Sequence, residues 1–332
     1  MIIQSIGIIG AGAWGTALAQ TALRAGREVV LWAREPGLAE TINRDHENPD
    51  YLPGVPLGPQ LRATGDLAEA TAADSVLLVT PAQHLRETAG ALEPHLAETA
   101  SIVVCAKGIE QRSGALMTEV VAETLPGRPR AVLSGPTFAA EVAQGLPTAV
   151  TLAADDAVLG AALVVALGSN RFRPYLSDDP IGAEIGGAVK NVIAIACGIV
   201  AGRRLGDNAR AALITRGLAE IVRLGLAKGG RSETLMGLSG LGDLTLTCSA
   251  LQSRNFSLGA ALGEGRALDE ILAERRSVAE GVFSAAAITG LAESLGIEMP
   301  IVAAVDAVLN RGTDIDATIE GLLARPFRAE LS

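Results

Sequence analysis

The sequence contains few of the residues on which most metal and nucleophilic sites depend. Its 332 residues include three cysteines, three histidines and two tyrosines, and aromatic residues make up 3% of the chain. The three cysteines, Cys105, Cys197 and Cys248, lie far apart and have no nearby histidine. Neither a disulfide framework nor a zinc site is therefore predicted, and no metal is expected. A reducing cytoplasm is the expected compartment.

Charged residues are also scarce, and no long run carries a single sign. They make up 19% of the chain, and the formal net charge is -10 at pH 7. Such a chain lacks the basic face of a protein that binds nucleic acid or anionic membranes, so neither partner is expected. With 49% hydrophobic residues it is too apolar for a disordered scaffold. We expect one or two compact domains.

The amino-terminal segment carries no charge from Met1 to Leu23, which is long enough for a membrane span. No basic stretch precedes it, and its glycines interrupt it at the spacing of a strand, a tight turn and a helix. We therefore expect neither export nor membrane insertion.

The first half of the chain alternates short apolar runs with helical segments. This alternation predicts a Rossmann-type, doubly wound parallel sheet whose two faces are covered by helices. The predicted strands are residues 5–9, 28–32, 75–79, 101–105, 130–134 and 148–152. After residue 178 the strand pattern gives way to segments rich in Ala and Leu with helical spacing. The expected domains are a dinucleotide-binding domain, 1–178, and an all-α substrate and catalytic domain, 179–332.

A glycine-rich motif follows the first predicted strand directly. Gly10, Gly12 and Gly15 form G-x-G-x-x-G between that strand and the following helix. Such glycines permit a tight turn, close approach of a pyrophosphate to the helix N-terminus, and close packing of helix on strand. In this context the motif predicts a dinucleotide-binding site.

Arg34 lies near the end of the second predicted strand, 19 residues after Gly15. An NAD-specific site usually carries an acidic residue there for the ribose 2′-hydroxyl, whereas a guanidinium can bind a 2′-phosphate. Arg34 therefore favours NADP(H). The alternative is an ordinary surface arginine beside Glu35, and use of NAD(H) stays open.

A dehydrogenase that reduces a carbonyl also needs a group that protonates the developing alkoxide. All three histidines lie in the first half, and no Tyr-x-x-x-Lys motif is present. Lysine is rare as well, because only three of the 27 basic residues are lysines. One of them, Lys190, lies in a helix of small and apolar residues, where burial lowers the pKa of an ammonium group. Lys190 is the leading acid/base candidate, and a lysine at a helix edge with its amine in solvent is the alternative.

Further candidates follow two predicted strands. Lys107 comes after one strand, and Gly135 and Thr137 come after the next. The carboxyl edge of an open α/β sheet is where such folds bind ligands. For Gly135 and Thr137, helix capping is the alternative interpretation.

The second half contains two polar clusters. Asp243 lies in a glycine-rich turn, and the run Ser253-Arg254-Asn255 combines a hydroxyl, a guanidinium and an amide, which together suit a phosphate. Each cluster could equally be a helix cap.

Ten motifs, taken in order, give a family resemblance. They are GAGAWGTALA, WAR, NPDYLPGV, AKGIE, SGPTFAAEV, GGAVKNVIAIACGI, GDNARAALITRG, GLSGLGDLTLTC, QSRN and VAEGV. Over residues 5 to about 325 the chain resembles the bacterial NAD(P)-dependent glycerol-3-phosphate dehydrogenase family. The resemblance implies interconversion of dihydroxyacetone phosphate and sn-glycerol 3-phosphate in the cytoplasm, which supplies the glycerol backbone of phospholipids.

The resemblance also assigns roles to residues. It implies that Lys190 transfers the proton and that Lys107 touches both substrate and cofactor. The substrate-binding residues that it implies are Lys107, Gly135, Thr137, Lys190, Asp243, Ser253, Arg254 and Asn255. We add Asn191, the neighbour of Lys190, to this set. The cofactor-binding residues that it implies are Trp14, Arg34, Lys107, Ala139, Arg254, Val278 and Glu280. The glycine motif adds Gly10, Gly12, Ala13 and Gly15 to them. At Ala13 the family commonly has Ser, so one hydroxyl contact to a phosphate is missing.

The resulting hypothesis is that NADP(H) or NAD(H) exchanges hydride with C2 of the substrate. Lys190 donates the proton, Lys107 and Asn191 steady the oxyanion, and Asp243 orients Lys190 and raises its pKa against the effect of burial. One alternative is a related dehydrogenase for a hydroxy acid or an amino-acid-derived substrate. Another is a non-catalytic NADP(H)-sensing protein. The Ala-rich helical half is a candidate homodimer surface.

Overall fold

A computed structural model describes residues 1–274 and 279–327 of the chain. Its first half is built on one sheet of eight strands in the order β3-β2-β1-β4-β5-β6-β7-β8. The strands are β1 Ser5–Ile9, β2 Glu28–Trp32, β3 Arg62–Thr64, β4 Ser75–Leu78, β5 Ser101–Val104, β6 Arg130–Ser134, β7 Thr148–Ala153 and β8 Phe172–Ser177. The predicted Rossmann-type sheet is confirmed, and the six predicted strands are all present.

The sheet differs from the prediction in two respects. The pairing of β6 with β7 is antiparallel, whereas every other pair is parallel. Two further strands, β3 and β8, were not predicted. The first has only three residues, and the second is an edge strand whose exposed Arg173 and Tyr175 interrupt any apolar run.

Helices cover both faces of the sheet, so most strands are buried on both sides, as their apolar runs predict. These helices are α1 Ala13–Arg24, α2 Leu38–Asp45, α3 Leu67–Thr71, α4 Leu85–Leu92, α5 Met117–Thr124, α6 Ala139–Gln144 and α7 Ala157–Leu167. The uncharged amino-terminal segment is β1, the glycine turn and most of α1. Its residues Ala17 to Ala22 are all buried, so this run is part of a domain core.

The second half is helical throughout the described residues, which confirms the predicted all-α domain. Its helices are α8 Pro180–Gly202, α9 Asp207–Lys228, α10 Ser232–Leu235, α11 Asp243–Thr247, α12 Arg254–Gly263, α13 Leu268–Ala273, α14 Glu280–Ser294, α15 Pro300–Arg311 and α16 Ile315–Leu323. The predicted domain boundary, 178/179, falls in the short link between β8 and α8 and stays a prediction.

Helix α8 is the central element of this half. Among the described helices it alone is long and apolar enough to cross a membrane by length and composition, but 89% of its most apolar window is buried inside the protein. It packs against α9, α11, α12 and α14. A helix surrounded in this way must be apolar on every face, so its composition is explained by its central position.

Helices α8 and α12 approach each other through glycines that we call the glycine seam: Gly198 and Gly202 on α8, and Gly259 and Gly263 on α12. A Cβ on Gly198 would lie 2.1 Å from the carbonyl oxygen of Phe256, and one on Gly259 would lie 2.1 Å from that of Ile195. The two backbones are therefore in direct contact, which a larger side chain at these positions would prevent.

Candidate active site

The predicted dinucleotide turn connects β1 to α1. Gly10 has φ +118°, a conformation that favours glycine, and a Cβ on Gly15 would lie 1.8 Å from the carbonyl oxygen of Gly10. At Gly12, in contrast, a Cβ would meet nothing within 4 Å. The turn is thus tightly packed at its first and third glycines and has open space at its second, as expected for a turn that receives a ligand.

Asn48 holds this turn from the protein side. Its buried amide donates hydrogen bonds to the carbonyl oxygen of Ala11 and to Oγ1 of Thr16, both at 2.8 Å. Asn48 belongs to the NPDYLPGV motif, but no local pattern in the sequence predicts its position under the glycine turn. This contact joins residues 37 positions apart, which local pattern does not reveal.

Three buried side-chain atoms have no hydrogen-bond partner among the described residues. They are Nε1 of Trp14, Oγ1 of Thr80 and Oγ of Ser134. Trp14 is in the first turn of α1, Thr80 follows β4, and Ser134 ends β6, so all three lie at the carboxyl edge of the parallel strands. Because buried polar groups are nearly always paired, this edge suits a ligand with polar groups, and the residues present fit a dinucleotide cofactor.

The side chain of Lys190 lies in the core of the helical half. Its Nζ is 2.6 Å from Oδ1 of Asp243 and donates a hydrogen bond of 2.8 Å to Oγ1 of Thr247. All three residues are buried. Burial lowers the pKa of Lys190 to about 8, although Asp243 opposes this shift. An ammonium group with such a pKa can donate and recover a proton near neutral pH.

Lys107 meets the same carboxylate from the other domain. It follows β5, and its Nζ is 2.6 Å from Oδ2 of Asp243 and 2.8 Å from the carbonyl oxygen of Gly135. Oγ1 of Thr137 lies 3.5 Å from Nζ. One carboxylate therefore bridges two ammonium groups. The three side chains together carry a single positive charge, which suits an anionic ligand or a developing oxyanion.

Asp243 is brought to Lys190 by a short π-helical turn, Leu238–Gly242, that packs on α8. A Cβ on Gly186 of α8 would lie 2.6 Å from the carbonyl oxygen of Ser239, and one on Gly240 would lie 1.9 Å from that of Leu235. The glycines of both segments are thus required for this close approach, which explains the GLSGLGD sequence.

The Ser253-Arg254-Asn255 run begins α12. Ser253 is the N-cap, and its Oγ accepts a hydrogen bond of 3.2 Å from the backbone N–H of Phe256, so the capping interpretation holds for this residue. Asn255 is buried and donates from Nδ2 to Oδ1 of Asn191 at 2.9 Å. Arg254 lies between them and is exposed. The structure thus places this run beside the helix that carries Lys190.

The remaining predicted cofactor residues lie around the sheet edge. Glu280 begins α14, and its Oε1 accepts a hydrogen bond of 3.3 Å from the N–H of Ala82. Burial raises the pKa of Glu280, and Arg254 opposes this. Ala139 begins α6. Arg34 follows β2, and its side chain is 71% exposed. Val278 lies outside the described residues.

Sequence reasoning missed Thr247, Thr80 and Ser134. Thr247 follows Asp243 by four residues and so shares its face of α11, which is the only signal that could have identified it. Thr80 directly follows one predicted strand and Ser134 ends another, and both were identifiable by that position alone. Within residues 1–274 and 279–327 no group of three or more His, Cys, Asp or Glu could hold a metal ion.

Two family models match the chain. The model described as NAD-dependent glycerol-3-phosphate dehydrogenase N-terminus matches residues 5–159. The model described as NAD-dependent glycerol-3-phosphate dehydrogenase C-terminus matches residues 179–320. Together they cover both halves of the fold and every described residue of the candidate site.

Individual proteins agree with the family models. Glycerol-3-phosphate dehydrogenase [NAD(P)+] of Rhodospirillum rubrum is 64% identical over 330 residues, which are 99% of this chain and 95% of the relative. The protein of the same name from Parvibaculum lavamentivorans is 60% identical over 98% of each chain. A crystal structure of glycerol-3-phosphate dehydrogenase from Coxiella burnetii matches with a TM-score of 0.93 and 41% identity, over 97% of this chain and 99% of that one.

Proposed function

The chain belongs to the NAD-dependent glycerol-3-phosphate dehydrogenase family, and we propose that Lys190 is the proton donor of its reaction. The reaction is the reduction of dihydroxyacetone phosphate to sn-glycerol 3-phosphate with NAD(P)H, and its reverse. The observation that carries the assignment is the buried bridge in which Asp243 contacts both Lys190 and Lys107 at 2.6 Å.

The chemistry that bound NAD(P)H supplies is hydride transfer to C2 of the substrate. As C2 accepts hydride, its oxygen becomes an alkoxide that must take up a proton. Lys190 gives that proton from Nζ, and the resulting neutral amine suits its buried site. Asp243 and Thr247 hold Nζ in place, so the donor needs no reorganisation during the step.

Lys107 and Asn191 steady the negative charge on the same oxygen. Lys107 supplies a second ammonium group from the opposite side of Asp243. Asn191 follows Lys190 on α8, and its amide nitrogen lies 3.4 Å from the carbonyl oxygens of Lys107 and Gly187. These long contacts leave the amide able to turn toward a substrate oxygen.

The substrate phosphate is held at the start of α12. Arg254 is exposed there, and its guanidinium can bind two phosphate oxygens at once. The second hydrogen of the Asn255 amide is a further donor, since one hydrogen is used for Asn191. Binding energy from the phosphate then positions the carbonyl for reaction.

The cofactor is held by the glycine turn, by Trp14, Ala139 and Glu280, and by Arg34. Ala13 has no hydroxyl to offer to a phosphate, so the backbone N–H groups of the turn carry more of the pyrophosphate binding.

Three wider proposals accompany this function. The enzyme works in the cytoplasm, its product enters phospholipid synthesis, and two copies associate through the helical half. Family membership supports the first two, and the Ala-rich composition of the helical half supports the third. Light scattering at micromolar concentration tests the dimer, and a monomeric mass would contradict it.

The assay that tests the function follows oxidation of NADPH and NADH with dihydroxyacetone phosphate as substrate. Pyruvate-like 2-oxo acids in the same assay test the alternative hydroxy-acid reaction. Turnover with the phosphate and none with the acids is expected. Turnover with the acids alone would support the alternative dehydrogenase, and no oxidation with any small ketone would support a sensing protein.

A further inference from the structure

Two residues of opposite charge follow β2 at the carboxyl edge of the sheet. Arg34 is largely exposed, and Glu35 beside it is half-buried, with 38% of its side chain accessible. Glu35 comes 20 residues after Gly15. Both positions are close to the one, about 20 residues after the motif, at which a dinucleotide-binding fold usually places the acidic residue that contacts the adenosine ribose.

The structure fixes the carboxylate of Glu35. The phenol of Tyr51 donates a hydrogen bond of 3.1 Å to Oε1 of Glu35. The same oxygen lies 3.6 Å from Nη2 of Arg34. Both contacts fall on Oε1, so Oε2 is the oxygen that can accept a hydrogen bond from a ligand. Arg34, in contrast, has most of its guanidinium in solvent.

Tyr51 is itself tied to the dinucleotide turn. Its backbone N–H donates to Oδ1 of Asn48 at 3.2 Å, and the amide of Asn48 binds the carbonyl oxygen of Ala11. Glu35 and the glycine turn are thus connected through one hydrogen-bonded path. Burial and the neighbouring Glu35 raise the pKa of Tyr51, so its phenol remains a donor at neutral pH.

We propose that Glu35 is a specificity-determining residue for the nicotinamide cofactor and that Tyr51 is its positioning residue. The carboxylate of Glu35 accepts a hydrogen bond from the ribose 2′-hydroxyl of NAD(H) and repels the 2′-phosphate of NADP(H). Arg34 attracts that phosphate. Because these two effects oppose each other, the site binds both cofactors. The inference rests on the proposed function only in taking a nicotinamide dinucleotide as the ligand.

The test uses 2′,5′-ADP and 5′-AMP, which differ only in the 2′-phosphate and carry no hydride donor. Isothermal titration gives the dissociation constant of each for the wild-type protein and for Glu35→Gln. We expect the ratio of the two constants to change at least about tenfold in favour of 2′,5′-ADP, since a charged hydrogen bond is lost for one ligand and a repulsion for the other. A ratio within about twofold of wild type would overturn the role of Glu35.

The matched control is Glu28→Gln. Glu28 is an exposed carboxylate at the amino end of β2, the strand that Glu35 follows, so the substitution makes the same change in net charge far from the proposed site. The ratio should stay at its wild-type value. If both variants shift the ratio equally, the effect is one of net charge and the inference fails.

Two more variants test the other partners. Arg34→Gln should weaken binding of 2′,5′-ADP by about tenfold or more and leave binding of 5′-AMP nearly unchanged. Tyr51→Phe should shift the ratio in the same direction as Glu35→Gln but by less. The variant keeps the carboxylate of Glu35 and removes only the hydrogen bond that holds it in place. A shift in Glu35→Gln without one in Tyr51→Phe would overturn the positioning role. Thermal melts of each variant show whether it is folded.

The two proposals fail separately. Wild-type reduction of dihydroxyacetone phosphate is measured in its own assay, which does not depend on residue 35. If Glu35→Gln changes the ratio of dissociation constants as expected but the wild type does not reduce dihydroxyacetone phosphate, only the proposed function is refuted. If the wild type reduces it and the ratio does not change, only the cofactor inference is refuted.

Discussion

The ammonium group of Lys190 and the carboxylate of Asp243 form an ion pair of 2.6 Å in which neither side chain has appreciable contact with solvent. A buried pair of this kind is costly to form and is strongly destabilised when one partner is lost. The second ammonium group, on Lys107, reaches the same carboxylate from the other half of the chain. Asp243 therefore links the proposed proton donor in the helical half to a lysine at the edge of the sheet.

Replacing Lys190 with Ala removes the proton donor, and we expect turnover to fall at least about 100-fold while NADPH binding is nearly unchanged. Steady-state kinetics and a separate NADPH titration measure the two effects. Lys190→Arg keeps the buried charge but cannot release a proton, so it should be equally inactive. Retention of more than about a tenth of wild-type turnover by either variant would contradict the role of Lys190.

The pKa of Lys190, about 8, predicts the pH dependence of both directions. Reduction needs the protonated amine, so kcat/KM for dihydroxyacetone phosphate should decline as the pH rises through about 8. Oxidation of glycerol 3-phosphate needs the neutral amine and should increase over the same interval. Measurement of kcat/KM in both directions from pH 6 to pH 10 checks this. If both directions increase, or both decrease, with pH, the prediction is wrong.

Asp243→Asn keeps the shape of the side chain and removes its charge. Asp243 raises the pKa of Lys190, while burial and Lys107 lower it. In the variant, the decline of kcat/KM for reduction should therefore occur at lower pH. Above the wild-type pKa of about 8, the protonated fraction falls in proportion to the shift, so a pKa lowered by one unit or more should reduce kcat/KM at least about tenfold there. If kcat/KM for reduction declines at the same pH as in the wild type, the carboxylate does not raise the pKa of Lys190.

The glycine seam makes a prediction about stability. Gly198→Ala places a methyl group 2.1 Å from a carbonyl oxygen of α12, and the helices must separate, which should cost about 3 kcal/mol in the free energy of unfolding. Gly290 is also inside a helix, α14, but a Cβ there meets nothing within 4 Å. Gly290→Ala should therefore be neutral or stabilising by up to about 1 kcal/mol. Urea titrations compare the two, and equal effects would argue against backbone contact at the seam.

Glu220 makes a prediction about pH and stability. It is buried in α9, and its carboxylate accepts hydrogen bonds from the N–H groups of Ile301 and Val302 at the start of α15. Burial raises its pKa from 4.5 to about 7. A raised carboxyl pKa contributes stability that is present below pH 4.5 and is lost as the pH rises through about 7.

We therefore expect that replacing Glu220 with Gln makes the free energy of unfolding decline less between pH 5 and pH 8 than it does in the wild type. Urea titrations at several pH values measure the slope. Glu293→Gln is the control, because Glu293 is an exposed residue of α14. An unchanged slope in the Glu220 variant, or an equal change in the control, would contradict the prediction.

The sequence predicted those elements whose cause is local. Six strands were identifiable because burial on both faces makes each a continuous apolar run, and the glycine turn was identifiable because its three glycines have fixed spacing. Strand β3 is too short for such a run, and β8 is an edge strand with polar and exposed residues. The antiparallel direction of β7 depends on the path of the chain between strands, which composition does not encode.

The site shows the same division. Lys190 could be identified because a lysine inside an apolar helix is unusual in a chain with so few lysines. Asp243 was expected to orient Lys190, with support from the family resemblance. The contact with Thr247, 57 positions away, and the contact of Lys107 with Asp243, across 136 positions, were not predicted. These contacts result from tertiary packing. The same holds for Asn48 under the glycine turn and for the link from Tyr51 to Glu35.

The glycine seam has a consequence for which molecules can react. Lys190 and Asn191 lie on one helix of the seam and Arg254 on the other, and the spacing of these helices is set by main chain against main chain. On the proposed assignment, the seam fixes the spacing of the two backbones that carry the proton donor and the phosphate ligand, so only side-chain rotamers can adjust the span between them. A keto phosphate with one more or one fewer carbon between its two functional groups is therefore expected to react more slowly than dihydroxyacetone phosphate.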